Sequence, residues 1–93
     1  MPYINQDARA KLVYWFKGGP ETPGELNYLI TGLVQRYLFE SGHQLTYTRL
    51  NDAIGVLEAA KLELYRRIAA PYEDHKIDDN GDVYPTDLWR YFG

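Results

Sequence analysis

The chain has 93 residues, a net charge of −3 and no cysteine. This length predicts a single domain, the acidic balance argues against charge-driven binding to long DNA or RNA, and the absence of cysteine excludes disulfides and thiolate metal sites. No apolar run approaches the length of a membrane span, and residues 1–11 lack the layout of a signal peptide. We therefore expect a cytoplasmic protein with no membrane partner.

The first predicted helix covers about residues 5–17. Asn5 is a favourable N-cap, and Asp7 lies in the first turn, where the helix dipole favours a negative charge. Gly18-Gly19-Pro20 is expected to end the helix. Helical spacing places four apolar side chains on one face: Ala8, Leu12, Trp15 and Phe16.

The second predicted helix covers about residues 23–41 and has the clearest start signal. Thr22 and Glu25 form a capping box, with Pro23 at the first helical position. An apolar stripe follows, made of Leu26, Leu29, Ile30, Leu33, Val34, Tyr37 and Leu38. Gly32 interrupts the stripe, and we expect it to let another helix approach closely. The short connection that follows predicts an antiparallel arrangement with the third helix.

The third predicted helix covers about residues 48–70, beginning at Thr46 or Thr48 and stopped by Pro71. At about 33 Å it is longer than a small core needs, so it is expected to offer a face to a partner chain. One stripe of small side chains suits close helix packing: Ala53, Val56 and Ala60, followed by Arg67. A second, apolar seam is interrupted by Lys61 and otherwise consists of Ile54, Leu57, Leu64 and Ile68.

The C-terminal third shows a different pattern. Asn80-Gly81 is a strong turn signal, which predicts a β-hairpin over about residues 75–84. The tail, residues 85–93, contains Leu88, Trp89, Tyr91 and Phe92 and must dock on its own domain or on a neighbour. The expected fold is mainly α, a three-helix domain with a small C-terminal β-hairpin and an aromatic tail.

The candidate binding residues follow from Lys61. Lys61 lies within an apolar seam, and burial of its ammonium would cost free energy unless an anion pairs with it. The planar guanidinium group of an arginine can donate two hydrogen bonds to a phosphate or a carboxylate. Nine tyrosines exceed what a thin core requires, and tyrosine rings can stack on a base. We therefore predict a site for a small phosphorylated, nucleotide-like ligand formed by Lys61, Tyr65, Arg66, Arg67, Tyr72 and Tyr84. An internal ion-pair set with Glu58, Glu63, Glu73 and Asp74 is the alternative.

No metal, cofactor or catalytic residue is predicted. The four acidic residues just named could hold magnesium, but residues five apart in a helix, such as Glu58 and Glu63, diverge by about 140°. Asp78-x-Asn80-Gly81 resembles a calcium loop whose first ligand position would be Lys76, a cation. His43 and His75 have no recognisable nucleophile or ligand partner.

Two segments, TPGELNYLIT (22–31) and GVLEAAKLELYRRIAAPYEDHKIDDNGDVY (55–84), resemble a family of small uncharacterised proteins encoded by bacteriophages and bacteria. The opening MPYI and the region of Tyr47 fit the same pattern, so the resemblance covers most of residues 1–84. It implies a phage or prophage setting, hence a bacterial host cytoplasm, but no activity. The tail resembles an extension of the family.

Three functions are compatible with these features. The first is a non-enzymatic protein, homo-oligomeric through helix 3 and the tail, that sequesters a nucleotide-like second messenger of bacterial immunity. The second is a protein–protein interaction module or oligomeric structural protein that uses the same residues as an interface. The third is a magnesium-dependent nucleotide hydrolase using Glu58, Glu63 and Asp74.

Overall fold

The computed structural model describes residues 2–13, 18–40, 42 and 44–93. These residues form helices and connecting segments, with no strand among them, so the prediction of a mainly α fold is confirmed. Four α-helices are present: α1 Gln6–Leu12, α2 Pro23–Phe39, α3 Tyr47–Leu64 and α4 Ala70–Asn80. A π-helical turn, Tyr65–Ala69, lies between α3 and α4, and a 3-10 turn covers Leu88–Tyr91. The expectations for Trp15, Phe16 and His43 fall outside the described residues.

The predicted caps of the first two helices are present. Asn5 Oδ1 accepts a hydrogen bond from the Ala8 amide at 2.8 Å, and Thr22 Oγ1 accepts one from the Glu25 amide at 3.1 Å. The Glu25 carboxylate accepts from the amide of Glu21, one residue before the cap, at 2.9 Å. Each cap satisfies an amide that the helix itself leaves unpaired.

Pro71 does not stop the helical path, contrary to the sequence-based prediction. In a regular α-helix its ring would clash with the carbonyl of Arg67 and its missing N–H would break a bond. The π-helical turn that ends at Ala69 changes the backbone just before the proline: the Ala70 amide donates to the Tyr65 carbonyl, five residues back. Pro71 thus lies in the first turn of α4, where an N–H is not needed.

The predicted C-terminal hairpin is wrong, because residues 70–80 are helical. Gly81 has a φ of +88°, and its amide donates to the Ile77 carbonyl at 2.8 Å, which ends α4. A glycine that adopts a positive φ serves a helix C-terminus as well as a hairpin turn, so the Asn80-Gly81 signal was compatible with both. Local pairs such as His75 Nε2 and Asp79 Oδ2, 3.5 Å apart at i, i+4, favour the helix when the histidine is protonated.

The chain divides into two compact units, Met1–Ala60 and Lys61–Gly93. Among the described residues only Leu38 and Ala53 are buried, and both belong to the first unit. The α2 stripe is therefore largely uncovered: Leu26, Leu29, Ile30, Leu33 and Tyr37 are each between 39% and 53% exposed. Across the described parts of the chain, we find no helix with the length and apolar character needed to cross a membrane.

Candidate functional site

All six residues predicted to bind a ligand lie in the second unit. Lys61 belongs to the last turn of α3, the π-helical turn carries Tyr65, Arg66 and Arg67, and Tyr72 lies in the first turn of α4. Tyr84 follows the end of α4 by four residues. We call Lys61, Arg66 and Arg67 the basic segment.

Tyr65 is paired with a carboxylate of the same unit. Its hydroxyl donates to Glu73 Oε2 at 3.0 Å. The hydrogen bond to Glu73 and the negative charge of that carboxylate, aided by Asp74, raise the pKa of Tyr65 above its usual value. The phenol is therefore neutral at physiological pH and acts as a donor. Its ring remains half exposed.

The spacing of Tyr65 and Glu73 follows from the π-helical turn. Two turns of a regular α-helix take 7.2 residues, so residue i+7 lies above residue i. A π-helical turn inserts one extra residue and brings residue i+8 to that place, which is the separation of Tyr65 and Glu73. The pair joins the start of the π-helical turn to the first turn of α4.

Arg66 is paired as well. Its Nη2 lies 2.8 Å from Glu63 Oε1, and the Glu63 side chain is only 19% exposed whereas that of Arg66 is 65% exposed. This contact agrees with the internal ion-pair alternative for Arg66. Lys61 is exposed and also has an interaction partner. Arg67 is exposed and forms no ion pair with a described residue.

The two remaining tyrosines are not drawn into the same cluster. Tyr72 is 61% exposed, and the Lys76 ammonium lies 5.6 Å from the centroid of its ring. The Tyr84 amide donates to Asp82 Oδ1 at 2.9 Å, while its ring is 67% exposed. No hydrogen bond or ring contact within the described structure joins Tyr84 to the other five residues. The rings of Tyr65, Tyr72 and Tyr84 thus stay accessible.

The acidic side chains do not converge. Within residues 2–13, 18–40, 42 and 44–93, no group of three or more histidine, aspartate or glutamate side chains could hold a metal ion. Of the three residues in the hydrolase alternative, Glu63 is bound to Arg66.

A second candidate surface lies in the first unit, along α2. It is an apolar groove of about 960 Å³ whose lining includes Leu26, Leu29, Ile30, Gly32, Leu33 and Arg36. We call it the α2 groove. The sequence predicted this apolar stripe, with another helix approaching it closely at Gly32. A Cβ placed on Gly32 would meet no described atom within 4 Å, so the close helix approach expected there is not made by the described part of this chain.

Sequence reasoning missed the role of Arg49. Its guanidinium carbon lies 4.2 Å from the centroid of the Tyr37 ring, and its Nη2 donates to the Tyr37 carbonyl. This contact links α2 to α3 within the first unit. Lys76 was also missed, although its i, i+4 spacing from Tyr72 would have revealed the contact had residues 70–80 been read as helix.

These features define a small, mainly helical protein with an apolar α2 groove and a basic segment at a π-helical turn. Residues 1–83 match a domain of unknown function, DUF6899, and the chain belongs to this family. The match ends before Tyr84, so the aromatic tail lies beyond it. No curated protein and no solved structure shows significant similarity to the chain.

Proposed function

We propose that this protein is a non-enzymatic interaction protein that works as a homo-oligomer, with the apolar faces of α2 and α3 covered by a second copy. The observation that carries the proposal is the exposure of apolar side chains: in the described chain, only Leu38 and Ala53 are buried. A large exposed apolar patch on a folded protein marks an interaction site. In α3, Ile54 and Leu57 are 57% and 42% exposed and add to the exposed apolar area of the first unit.

The apolar surface of the α2 stripe can be compared with the cost of association. Full burial of a leucine or isoleucine side chain stabilises by about 1.5–3 kcal/mol. Covering the five half-exposed side chains of the α2 stripe would thus contribute roughly 4–7 kcal/mol per copy. Two copies contribute about twice that, against an association cost of about 4–15 kcal/mol. Burial of the α2 stripes alone therefore roughly offsets the cost of association, so the affinity would depend on the α3 faces and on other contacts.

The test compares two leucines of equal exposure. Leu33, in the α2 groove, and Leu45, in the segment before α3, are each 53% exposed. We expect the wild-type mass measured by light scattering to be at least dimeric at micromolar concentration. Leu33→Lys should raise the dissociation constant at least tenfold, and Leu45→Lys should leave it unchanged. A monomeric wild type, or equal effects of the two variants, would contradict the proposal.

A second candidate function is the binding of a small anionic, nucleotide-like ligand at the basic segment, as in a phage protein that sequesters a messenger of host defence. Two observations favour it: Arg67 is exposed without an ion-pair partner in the described structure, and π-helical turns are frequent at functional sites. Arg67 can donate a bidentate pair of hydrogen bonds to a phosphate, and the exposed rings of Tyr65 and Tyr72 can stack on a base.

Calorimetry with ADP-ribose and with cyclic dinucleotides tests this second function. Arg67→Gln should weaken binding at least tenfold, whereas Arg9→Gln, a control on α1, should have no effect. The ligand recovered after heat denaturation should be intact. Release of a cleaved product that requires magnesium and is lost in Glu58→Gln would instead support the hydrolase. Absence of binding by all these probes would contradict the second function without touching the first.

A further inference from the structure

We propose that the aromatic tail of one copy docks in the α2 groove of a second copy, reciprocally, so that each copy of a two-fold dimer both gives and receives a tail. This inference rests on the proposed homo-oligomer and specifies its contact. It assigns a partner to two surfaces that the described structure leaves open, the groove in the first unit and the tail in the second.

The tail presents its aromatic side chains to solvent. Trp89, Tyr91 and Phe92 are 74%, 68% and 76% exposed, and Leu88 is 40% exposed. Side chains of this size dominate the energetics of protein interfaces. The family match ends at residue 83, so these side chains are not part of the shared domain.

The tail is also held in a defined conformation. Arg90 Nη1 lies 2.7 Å from Asp87 Oδ2, and the Arg90 amide donates to the Asp87 carbonyl at 3.0 Å. The Phe92 amide donates to the Trp89 carbonyl at 3.3 Å, which closes the 3-10 turn. Because the turn is already formed, docking would cost less conformational entropy than docking of an unstructured peptide.

The α2 groove suits this occupant in size and chemistry. Its volume of about 960 Å³ is large enough for bulky side chains, and leucine and isoleucine side chains line it. Arg36, which also lines the groove, pairs with Glu40 at 3.0 Å. Arginine stacks favourably on aromatic faces, as Arg49 does on Tyr37 in the same unit. The open space over Gly32 leaves room for a ring against the helix backbone.

The area of the contact matches what a stable dimer requires. An aromatic side chain buries about 150–250 Å². At the exposures given above, three such side chains would remove roughly 300–550 Å² of tail surface from water. Counting the groove walls and both copies, the reciprocal contact would bury roughly 1,200–2,200 Å², the size of a standard specific interface. Reciprocal exchange is also the arrangement that two-fold symmetry produces.

The chain has no cysteine, so introduced cysteines allow a direct test in the full-length protein. Gly32→Cys places a thiol in the groove, where a Cβ meets no described atom, and Gly93→Cys places one beside the intact aromatic side chains. Because a side chain at position 32 is expected to weaken the dimer severalfold, the variants are mixed at least tenfold above the dissociation constant measured for Gly32→Cys by light scattering. We mix the two single variants under mild oxidation and identify cross-linked dimers by intact mass. The mixed dimer, with one chain of each kind, should form in at least fivefold excess over the mixture of Gly93→Cys with Tyr47→Cys, an exposed control on α3.

Each result has a defined meaning. Excess mixed dimer supports the inference. A dimer by light scattering without excess cross-linking would overturn the inference and leave the proposed homo-oligomer intact, whereas a monomer would overturn both. Cross-linking only within one chain of the Gly32→Cys, Gly93→Cys double variant would show that the tail docks on its own groove. As a second measurement, Trp89→Ala should raise the dimer dissociation constant at least tenfold and Val83→Ala should not; equal effects would overturn the inference.

Discussion

The apolar side chains of α2 in the first unit stay half exposed, whereas several polar side chains of the second unit are paired with neighbours one or two turns away. The described residues of the first unit cover the α2 stripe only in part. The second unit pairs several polar side chains locally, with Tyr65 bound to Glu73 and Arg66 to Glu63, although its aromatic tail is exposed. If the proposed homo-oligomer forms, the stability of the first unit should depend on protein concentration, while that of the second should depend on helix-forming interactions and charge.

The largest effect is expected at Pro71 in the second unit. A proline inside a helix is about 3 kcal/mol less favourable than alanine, and the π-helical turn relieves part of that cost. Pro71→Ala should therefore stabilise the helix by roughly 1–3 kcal/mol, measured by thermal unfolding followed by circular dichroism. The gain should be the same at low and high protein concentration. A gain that grows with concentration would show that α4 also takes part in association.

Gly81 tests the end of α4. Its φ of +88° is a conformation that L side chains rarely adopt, so a β-branched residue there strains the backbone. Gly81→Val should destabilise the helix end by about 1–2 kcal/mol and shorten α4 in nuclear magnetic resonance chemical shifts. Gly93→Val serves as the control, because Gly93 has no positive φ. An unchanged α4 in Gly81→Val would argue against this C-cap.

Two glycines within helices of the first unit separate folding from association. Gly32 in α2 and Gly55 in α3 both have open space where a Cβ would lie. Replacing either by alanine should raise helix stability by up to about 1 kcal/mol in the monomer. Because Gly32 lines the groove, Gly32→Ala should in addition weaken the dimer, seen by sedimentation as a dissociation constant raised severalfold. Gly55→Ala should leave it unchanged, and identical behaviour of the two variants would remove Gly32 from the interface.

The smallest effect concerns the pH dependence of the Tyr65–Glu73 pair. The folded protein raises the pKa of Tyr65 above its usual value of 10.0, so it holds the phenol proton more tightly than the unfolded chain does. The stabilising contribution is therefore complete below pH 10.0 and is lost as the pH rises through the folded pKa. A nuclear magnetic resonance titration of the Tyr65 ring should show it ionising above the usual pH for a tyrosine. Glu73→Gln should lower the Tyr65 pKa, and Asp79→Asn should not.

The sequence predicted helix starts better than helix ends. Asn5 and the Thr22–Glu25 pair act over three residues, so their local spacing was sufficient to locate α1 and α2. The predictions at Pro71 and Gly81 were wrong because the structure at each residue depends on the backbone on both sides of it. A π-helical turn accommodates the proline, and a glycine with positive φ ends a helix as readily as it forms a hairpin.

The sequence named candidate residues but predicted their contacts only in part. The periodicity of α2 identified an apolar stripe, but periodicity does not say whether a stripe is covered by the same chain or by another. In the basic segment, sequence spacing anticipated an ion pair of Arg66 with a nearby carboxylate. It did not anticipate the pairing of Tyr65 with Glu73, because a regular 3.6-residue period places residue i+7, and not residue i+8, above Tyr65.

The π-helical turn also limits how far a partner helix could follow a single stripe of side chains along residues 61–80. Each residue of an α-helix turns by about 100°, so one extra residue shifts the stripe pattern by that angle. The side chains beyond Ala69 therefore do not continue the stripes that residues 61–64 begin. A partner helix that follows one stripe across Leu64 would lose that stripe at α4. Deleting a single residue within 66–69 would restore the 3.6-residue period and align the stripes before and after the turn in the second unit. A one-residue change in length at this turn could therefore alter which partner helix fits, without changing any side chain of α4.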